Sequence, residues 1–234
     1  MKGKVFLAGG GSEEQSYDVD KFFSQLVSRV LYIPIAWNNV RENEDYKPHL
    51  KWLSTTLGKF GVHDITLLTD LEKNTDLENF DAIYIGGGNT FKLLNFIKKS
   101  DFDDKLKKFI EKGGIVYGGS AGALIFGNDI NIALLGEDRD ENNVNLKDLK
   151  GLNILKNIDF QVHFNESQIN RHKNYIKQTK RNILAIPEES AILIEDKKCK
   201  VLGSKPVYFI SKENSICFEI GSEFKIDSLE IDKK

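Results

Sequence analysis

Short apolar runs alternate with longer amphipathic segments along the first half of the chain. The runs are rich in β-branched residues and lie at residues 4–9, 30–36, 64–69, 82–87 and 114–119. Runs of this kind are typical of strands that are buried on both faces of a parallel sheet. The segments between them carry apolar residues at three- and four-residue spacing, which predicts helices that cross over the sheet. The pattern therefore predicts a doubly wound α/β fold with a mostly parallel sheet flanked by helices.

The second half of the chain has a different pattern. Residues 136–150 are rich in charged residues and asparagines, which predicts a solvated loop at the rim of a site. A strand at 159–164, a helix over 166–179 and a strand ending at 189 follow. Closely spaced short strands separated by turn residues then run from residue 191 onward. We expect this C-terminal extension to form an antiparallel meander.

Composition narrows the classes of protein that this chain can belong to. The 234 residues are 40% hydrophobic, which fits a single globular domain over residues 1–234. A formal net charge of -2 provides no basic field for nucleic acid, and no apolar stretch approaches the roughly 20 residues that cross a bilayer. The two cysteines, Cys199 and Cys217, are too few for a disulfide scaffold or a thiolate metal cage, so we expect a cytoplasmic protein.

The segment GIVYGGSAGALIF has the pattern of a nucleophile elbow. Ser120 follows a predicted buried strand and precedes an apolar helix-like run, and its neighbours Gly118, Gly119, Ala121 and Gly122 are all small. A sharp strand-to-helix turn needs such neighbours, and the backbone N–H of the residue after the serine can face a developing oxyanion. A tight βα connection or an anion-binding loop, with the serine as helix N-cap, is an equally open interpretation of this segment alone.

A second glycine cluster closes the fourth predicted strand at Gly86, Gly87 and Gly88, and a helix is predicted to begin at Asn89 or Thr90. In open α/β sheets, ligands bind at the carboxyl ends of the strands, so this loop can face the serine elbow. Gly87 or Gly88 would then supply a second oxyanion donor, and Asn89 beside them is a candidate substrate contact. The alternative is a helix start with Asn89 or, by preference, Thr90 as its cap. A nucleotide-binding loop is disfavoured because no phosphate-binding glycine motif is present.

A serine nucleophile needs a base, and the chain offers four histidines. His49 and His172 fall inside predicted helices and His63 in a turn, where ordinary surface or packing roles are expected. His163 ends a predicted strand in the segment DFQVHF and precedes a polar turn, from which a ring can reach across to Ser120. His163 is therefore the predicted base.

An imidazole base is normally oriented by a carboxylate on its other nitrogen. Glu188 and Glu189 follow the predicted strand ILAIP, and Asp129 follows the helix after the predicted nucleophile. Glu166 is a further candidate, although its place at a helix start favours an interaction with the helix dipole. Glu188 is the preferred acid and Asp129 the main alternative.

Four motifs now stand in a defined order: GGGNTFKLL, GGSAGA, VHF and AIPEESAI. Over residues 4 to 210, the chain resembles the dipeptidase E (aspartyl dipeptidase) and cyanophycinase family of serine peptidases. The resemblance implies a fold similar to class I glutamine amidotransferases. It also implies a Ser-His-Glu triad made of Ser120, His163 and Glu188, and a substrate that is a short peptide rather than a folded protein.

Further roles follow from the same resemblance. Gly88 and Ala121 correspond to oxyanion donors, and Asp129 matches a functional Asp of the family. Dipeptidase E cleaves dipeptides that begin with aspartate, which requires a cation for the aspartyl carboxylate. Arg171 is the candidate and Arg181 the second option, although a solvated helix face explains both residues equally well.

These motifs predict a hydrolase that works through an acyl-enzyme and needs neither metal nor cofactor. Two other readings stay open. One is a non-catalytic binding domain on the same fold; the other is an isopeptidase acting on aspartyl-arginine polymers. The resemblance is also compatible with a homodimer.

Overall fold

The computed structural model describes residues 2–37, 46–135 and 139–229. Its strands are β1 (Lys4–Ala8), β2 (Arg29–Ile33), β3 (Asp64–Leu67), β4 (Ala82–Ile85), β5 (Ile115–Gly119), β6 (Ile158–Gln161), β7 (Asn182–Ala185), β8 (Ser190–Glu195), β9 (Lys198–Gly203), β10 (Val207–Ile210), β11 (Ser215–Phe218) and β12 (Glu223–Lys225). Its α-helices are α1 (Tyr17–Ser24), α2 (Lys47–Gly58), α3 (Thr90–Lys99), α4 (Phe102–Glu111), α5 (Ala121–Leu124) and α6 (Ile169–Thr179). Short 3₁₀ turns lie at Leu77–Asn79, Ile130–Leu134, Glu166–Gln168 and Ile226–Ser228.

The larger sheet has eight strands in the order β12-β9-β8-β1-β5-β4-β2-β3. The five strands predicted from the first half of the chain pair in parallel, in the order β1-β5-β4-β2-β3. All five therefore end at the same edge of the sheet, where ligands bind in open α/β folds. The predicted fold class is confirmed.

The C-terminal strands do not form one meander, so that part of the prediction is wrong. β8, β9 and β12 extend the larger sheet in antiparallel fashion. β10 and β11 join β7 and β6 in a second sheet, ordered β11-β10-β7-β6, in which β6 and β7 are parallel. Strands β7 and β10 are wholly or almost wholly buried, and they share the main hydrophobic core with β8 and β9, so the two sheets pack against a common core.

The strands of the larger sheet are apolar on both faces because each face is covered. Along β1, Val5 and Leu7 belong to the core shared with α3, α4 and the second sheet, whereas Phe6 and Ala8 pack with α1 and α2. The alternation follows from the two-residue period of a strand. It places the second sheet, which carries His163 just beyond β6, on the same side as α3 and α4.

Candidate active site

Ser120 occupies the turn between β5 and α5 in a strained conformation. Its backbone angles are φ 52° and ψ −115°, and its N–H donates to the Ala8 carbonyl at 3.1 Å. A positive φ is uncommon for a residue with a side chain and is tolerated where the surroundings fix it. The close packing predicted for the elbow is present: a Cβ at Gly122 would lie 2.4 Å from the Ile85 carbonyl oxygen. This backbone presents the serine hydroxyl at the sheet edge.

His163 reaches Ser120 from the second sheet. It lies two residues beyond β6 with φ 50°, and its N–H donates to the Gly9 carbonyl at 3.0 Å. Its Nε2 lies 2.8 Å from the Ser120 Oγ, within the range of a good hydrogen bond. The contact with the end of β1 thus joins the two sheets at the position where the ring meets the serine.

Glu188 lies on the other side of the ring. Its Oε1 is 2.7 Å from the His163 Nδ1, and its Oε2 accepts a hydrogen bond from Gln15 Nε2 at 2.7 Å. The hydrogen bond with His163 lowers the pKa of Glu188; partial burial opposes this effect, and the hydrogen bond from Gln15 adds to it. The carboxylate is therefore held ionised beside the imidazole.

Three backbone N–H groups lie close to the serine without an acceptor among the described residues: those of Gly87, Gly88 and Ala121. A Cβ at Gly87 would lie 3.2 Å from the Ser120 Cβ, so this loop is in contact with the serine. Gly88 has φ +132° and lies against the Ala36 carbonyl, 2.2 Å from where a Cβ would be, so only glycine fits there. N–H groups available beside a nucleophile are the requirement for an oxyanion hole.

Ser120, His163 and Glu188 open into a cavity of about 1080 Å³. This volume is at the upper end of the range of small-molecule sites. Its wall includes the Gly87 and Gly88 loop, aromatic residues from β2 and α2, and polar residues from α6. Within the described ranges, no group of three or more His, Cys, Asp or Glu side chains could hold a metal ion.

Comparison with known proteins identifies the family of the chain. The model of peptidase family S51 matches residues 5–202. The chain belongs to peptidase family S51. A peptidase E from Shewanella denitrificans is 25% identical over 228 residues, which cover 90% of each chain. An uncharacterized peptidase from Listeria monocytogenes is 31% identical over 194 residues, covering 77% of this chain and 91% of that protein.

A solved structure gives the same picture of the fold. The crystal structure of a peptidase from an acI-B1 Actinobacterium aligns with a TM-score of 0.72 over 97% of this chain and 98% of that chain, at 17% identity. The S51 family model and the peptidase E relatives establish the chain as a serine peptidase, that is, a hydrolase. In this S51 peptidase, none of the described helices is long and apolar enough to cross a bilayer.

Asn89 has a structural role in this peptidase. Its Oδ1 accepts from the Lys92 N–H at 2.8 Å as the cap of α3, and its Nδ2 donates to the Glu141 carbonyl. Thr90 is the first helical residue rather than the preferred cap, and its N–H and hydroxyl both donate to Asp140. The side chain of Asn89, predicted as a substrate contact, is thus engaged by the protein. The loop containing Asp140 and Glu141 packs on the start of α3, and Asp140 lines the cavity.

The two candidate arginines differ in their surroundings. Arg171 is exposed on α6, lines the cavity and makes no ion pair with any residue of the described ranges. Arg181 is instead paired with the fully buried Asp159 at 2.7 Å, and it also donates to the Tyr175 hydroxyl. Arg181 therefore belongs to a structural ion pair and is not a substrate-binding residue.

The alternative acid, Asp129, lies outside the cavity. Its Oδ1 accepts from the Asn131 N–H at 2.7 Å as the cap of a 3₁₀ turn, and it lies 3.8 Å from Arg181. These contacts do not bring Asp129 together with Ser120 and His163. Glu166 is likewise engaged elsewhere, because it accepts a hydrogen bond from the Tyr208 hydroxyl.

Two parts of the site were not predicted from the sequence. Gly10 and Gly11 lie against the His163 ring and Glu188, respectively, and Gln15 holds the carboxylate. The signal was the third glycine cluster, LAGGGSEEQ, directly after the first strand. Like the Gly88 loop, this cluster lies at the carboxyl end of a predicted strand, which is the criterion used for that loop. His49, expected to be an ordinary helix residue, also lines the cavity.

Proposed function

We propose that this S51 peptidase hydrolyses short peptides through an acyl-enzyme formed on Ser120, with His163 as base and Glu188 as the orienting acid. One observation carries the proposal: an unbroken line of contacts runs from the Ser120 Oγ to His163 Nε2 at 2.8 Å and from Nδ1 to Glu188 at 2.7 Å. An ionised Glu188 favours the tautomer with the proton on Nδ1. Nε2 is then free to accept the serine proton.

The reaction follows from these contacts. As the Ser120 Oγ attacks the peptide carbonyl, its proton passes to His163 Nε2, and Glu188 stabilises the resulting imidazolium. The N–H groups of Gly88 and Ala121 donate to the oxyanion of the tetrahedral intermediate. The imidazolium then protonates the leaving amine as the C–N bond breaks. Water, activated by the same ring, releases the acyl group and restores the serine.

We further propose that the substrates are dipeptides with an N-terminal aspartate. The support is Arg171, an exposed guanidinium on the cavity wall that has no carboxylate partner among the described residues. A guanidinium binds a carboxylate through two parallel hydrogen bonds, which suits the aspartyl side chain.

Kinetics of single variants test the catalytic assignment. Ser120→Ala and His163→Ala should each lower kcat by about 10³-fold or more, and Glu188→Gln should have a milder effect. His63→Ala serves as a control, because it removes an exposed histidine outside the cavity. A Ser120→Ala enzyme that retains wild-type turnover would reject the proposed nucleophile.

Paired substrates test the aspartate preference. Arg171→Gln should lower kcat/KM for Asp-Ala by about 10- to 100-fold, the value of one charged hydrogen-bonded contact, and leave Ala-Ala unchanged. Lys177→Gln is the matched control, because it removes the same charge from an exposed position on α6 outside the cavity. An equal effect of Arg171→Gln on both dipeptides would contradict this role.

A further inference from the structure

An aromatic wall lines one part of the cavity that contains Ser120. We define it as Trp37, His49 and Trp52, all of which line the cavity. The two tryptophans are the only ones in the chain, and 43% and 39% of their surfaces are exposed. Aromatic residues are enriched where a partner is bound, and they commonly line the pockets that bind small molecules. The proposed hydrolytic mechanism gives these side chains no role.

The wall is a continuous surface built from two elements. His49 and Trp52 lie three residues apart on α2, so they share one face of the helix. The Trp37 ring lies across from His49, with ring centroids 4.7 Å apart and planes inclined at 59°. Pro34 and Pro48 also line this part of the cavity. The result is an aromatic surface with inclined rings, and a further aromatic ring can pack against such rings in a tilted or edge-to-face arrangement.

The wall is directly connected to the proposed oxyanion loop. A Cβ at Gly88 would lie 2.7 Å from the Trp37 backbone nitrogen, so the two backbones touch. Lys92 Nζ donates to the Trp37 carbonyl at 2.8 Å, which further fixes this segment on α3. Trp37 is thus held immediately beside the group proposed to bind the reacting carbonyl.

Strand order sets the distance between the wall and the serine. Trp37 follows β2, which lies two strands from β5 in the larger sheet. At about 4.8 Å per strand, the two strand ends are about 10 Å apart. One extended residue covers about 3.5 Å and its side chain several more, so a residue next to the scissile bond can reach the wall.

Arg171 lines the same cavity from α6, and the path of the chain brings this helix in from the β1 side of Ser120. The chain runs from His163 to α6, which carries Arg171, and the His163 N–H donates to the Gly9 carbonyl at the end of β1. β1 and β4 flank β5 on different sides, and β2 lies beyond β4. A peptide across Ser120 can therefore meet a cation at one end of the cavity and an aromatic surface at the other.

We propose that Trp37, His49 and Trp52 form a subsite for an aromatic side chain of the peptide substrate. The inference rests on the proposed function of this cavity and deepens it. With Arg171 holding the aspartyl carboxylate, the preferred substrates are Asp-X dipeptides in which X is phenylalanine, tyrosine or tryptophan. The wall then determines specificity at X.

Intrinsic fluorescence tests the subsite without any turnover. Since both tryptophans of the chain belong to the wall, the Ser120→Ala enzyme should change its emission when titrated with Asp-Phe. Burial of part of a phenyl ring should make the Kd for Asp-Phe about tenfold lower than that for Asp-Ala. Equal Kd values for the two dipeptides, or binding of Asp-Phe with no change in emission, would overturn the proposal.

Kinetics of the active enzyme provide the second test. Trp52→Ala should lower kcat/KM for Asp-Phe by about tenfold and leave Asp-Ala within about twofold. Trp52→Phe should keep the preference, because a ring remains. Phe96→Ala is the control: it removes a similarly exposed ring on α3 outside the cavity and should leave both values unchanged. An equal fall for both dipeptides in Trp52→Ala would contradict the subsite.

The two proposals fail in different ways. If a fluorophosphonate does not label Ser120 and no dipeptide is hydrolysed, the proposed function fails, and the fluorescence titration alone decides the subsite. If Ser120 is labelled and Asp-Phe is hydrolysed, but Trp52→Ala retains the wild-type ratio of Asp-Phe to Asp-Ala, only the subsite is rejected.

Discussion

Gly10→Ala should separate catalysis from stability. Gly10 lies against the imidazole of His163, and a Cβ added there would be 2.4 Å from the ring Cε1 and 2.8 Å from Nε2. Carbon atoms in contact normally lie about 3.5–4.0 Å apart, so the ring has to retreat by about 1 Å. The Ser120 Oγ to Nε2 distance is 2.8 Å, and an added ångström takes it beyond hydrogen-bond reach.

The expected effect on turnover is large. A misplacement of about 1 Å in a reacting group can cost about 100-fold, so kcat on a dipeptide should fall by about that factor. The rate of fluorophosphonate labelling of Ser120 should fall with it. The falls in kcat and in labelling rate have one cause, because His163 no longer reaches the Ser120 hydroxyl.

Gly61→Ala is the matched control. Gly61 has φ +89°, close to the +94° of Gly10, and a Cβ there meets no atom within 4 Å. Both substitutions therefore cost a similar backbone strain of about 1–2 kcal/mol, and denaturant unfolding should show similar losses of stability. If the kcat of Gly10→Ala lies within threefold of the kcat of Gly61→Ala, Gly10 is not needed to position the His163 ring, and the reasoning is refuted.

Three further predictions concern carboxylates. Gln15→Ala removes the hydrogen bond that Gln15 donates to Glu188, so the pKa of Glu188 should rise. The acid limb of the pH–rate profile should then move to higher pH, and kcat should fall severalfold. An unchanged profile would argue against a positioning role for Gln15. Burial raises the pKa of Asp20 from 3.8 to about 6, so the free energy of unfolding falls as pH rises from about 4 to about 6. Urea denaturation should show a loss of about 3 kcal/mol at pH 7 relative to pH 4, and Asp20→Asn should remove this loss. The same pH dependence of stability in the wild-type and Asp20→Asn proteins would contradict this prediction. Asp129→Asn should leave kcat within twofold, because Asp129 does not contact His163, and a large loss would reinstate it as the acid.

Local patterns predicted the parallel half of the larger sheet well. Strands buried on both faces, such as β1 and β5, read as continuous apolar runs because helices cover both sides. Ser120 was proposed because a nucleophile elbow has a recognisable local sequence, and His163 was proposed because it ends a strand. Neither inference needed knowledge of distant parts of the chain.

Features that depend on distant partners were missed or left open. Arg171 and Arg181 look alike in sequence, and only the buried Asp159 shows which of them is committed to an ion pair. Asp129 and Glu188 were both plausible acids until the fold placed one beside the ring. The C-terminal strands were divided between two sheets by core packing, which short-range periodicity does not encode.

The aromatic wall is another long-range feature. Trp37 follows the turn after β2 and Trp52 lies within α2, and each alone is typical of an ordinary packing residue. They meet only because β2 and α2 border the same cavity. Gly10 and Gly11 could have been predicted from the sequence, because they follow a predicted strand in the same way as the Gly88 loop.

The central claim is that Ser120 is an activated nucleophile, and covalent labelling tests it most directly. After incubation with a fluorophosphonate, peptide mass mapping should place one adduct on Ser120 in the wild-type protein and none in His163→Ala folded to the same degree. Labelling of His163→Ala at the wild-type rate, or peptide hydrolysis by a protein in which Ser120 stays unmodified, would contradict the account.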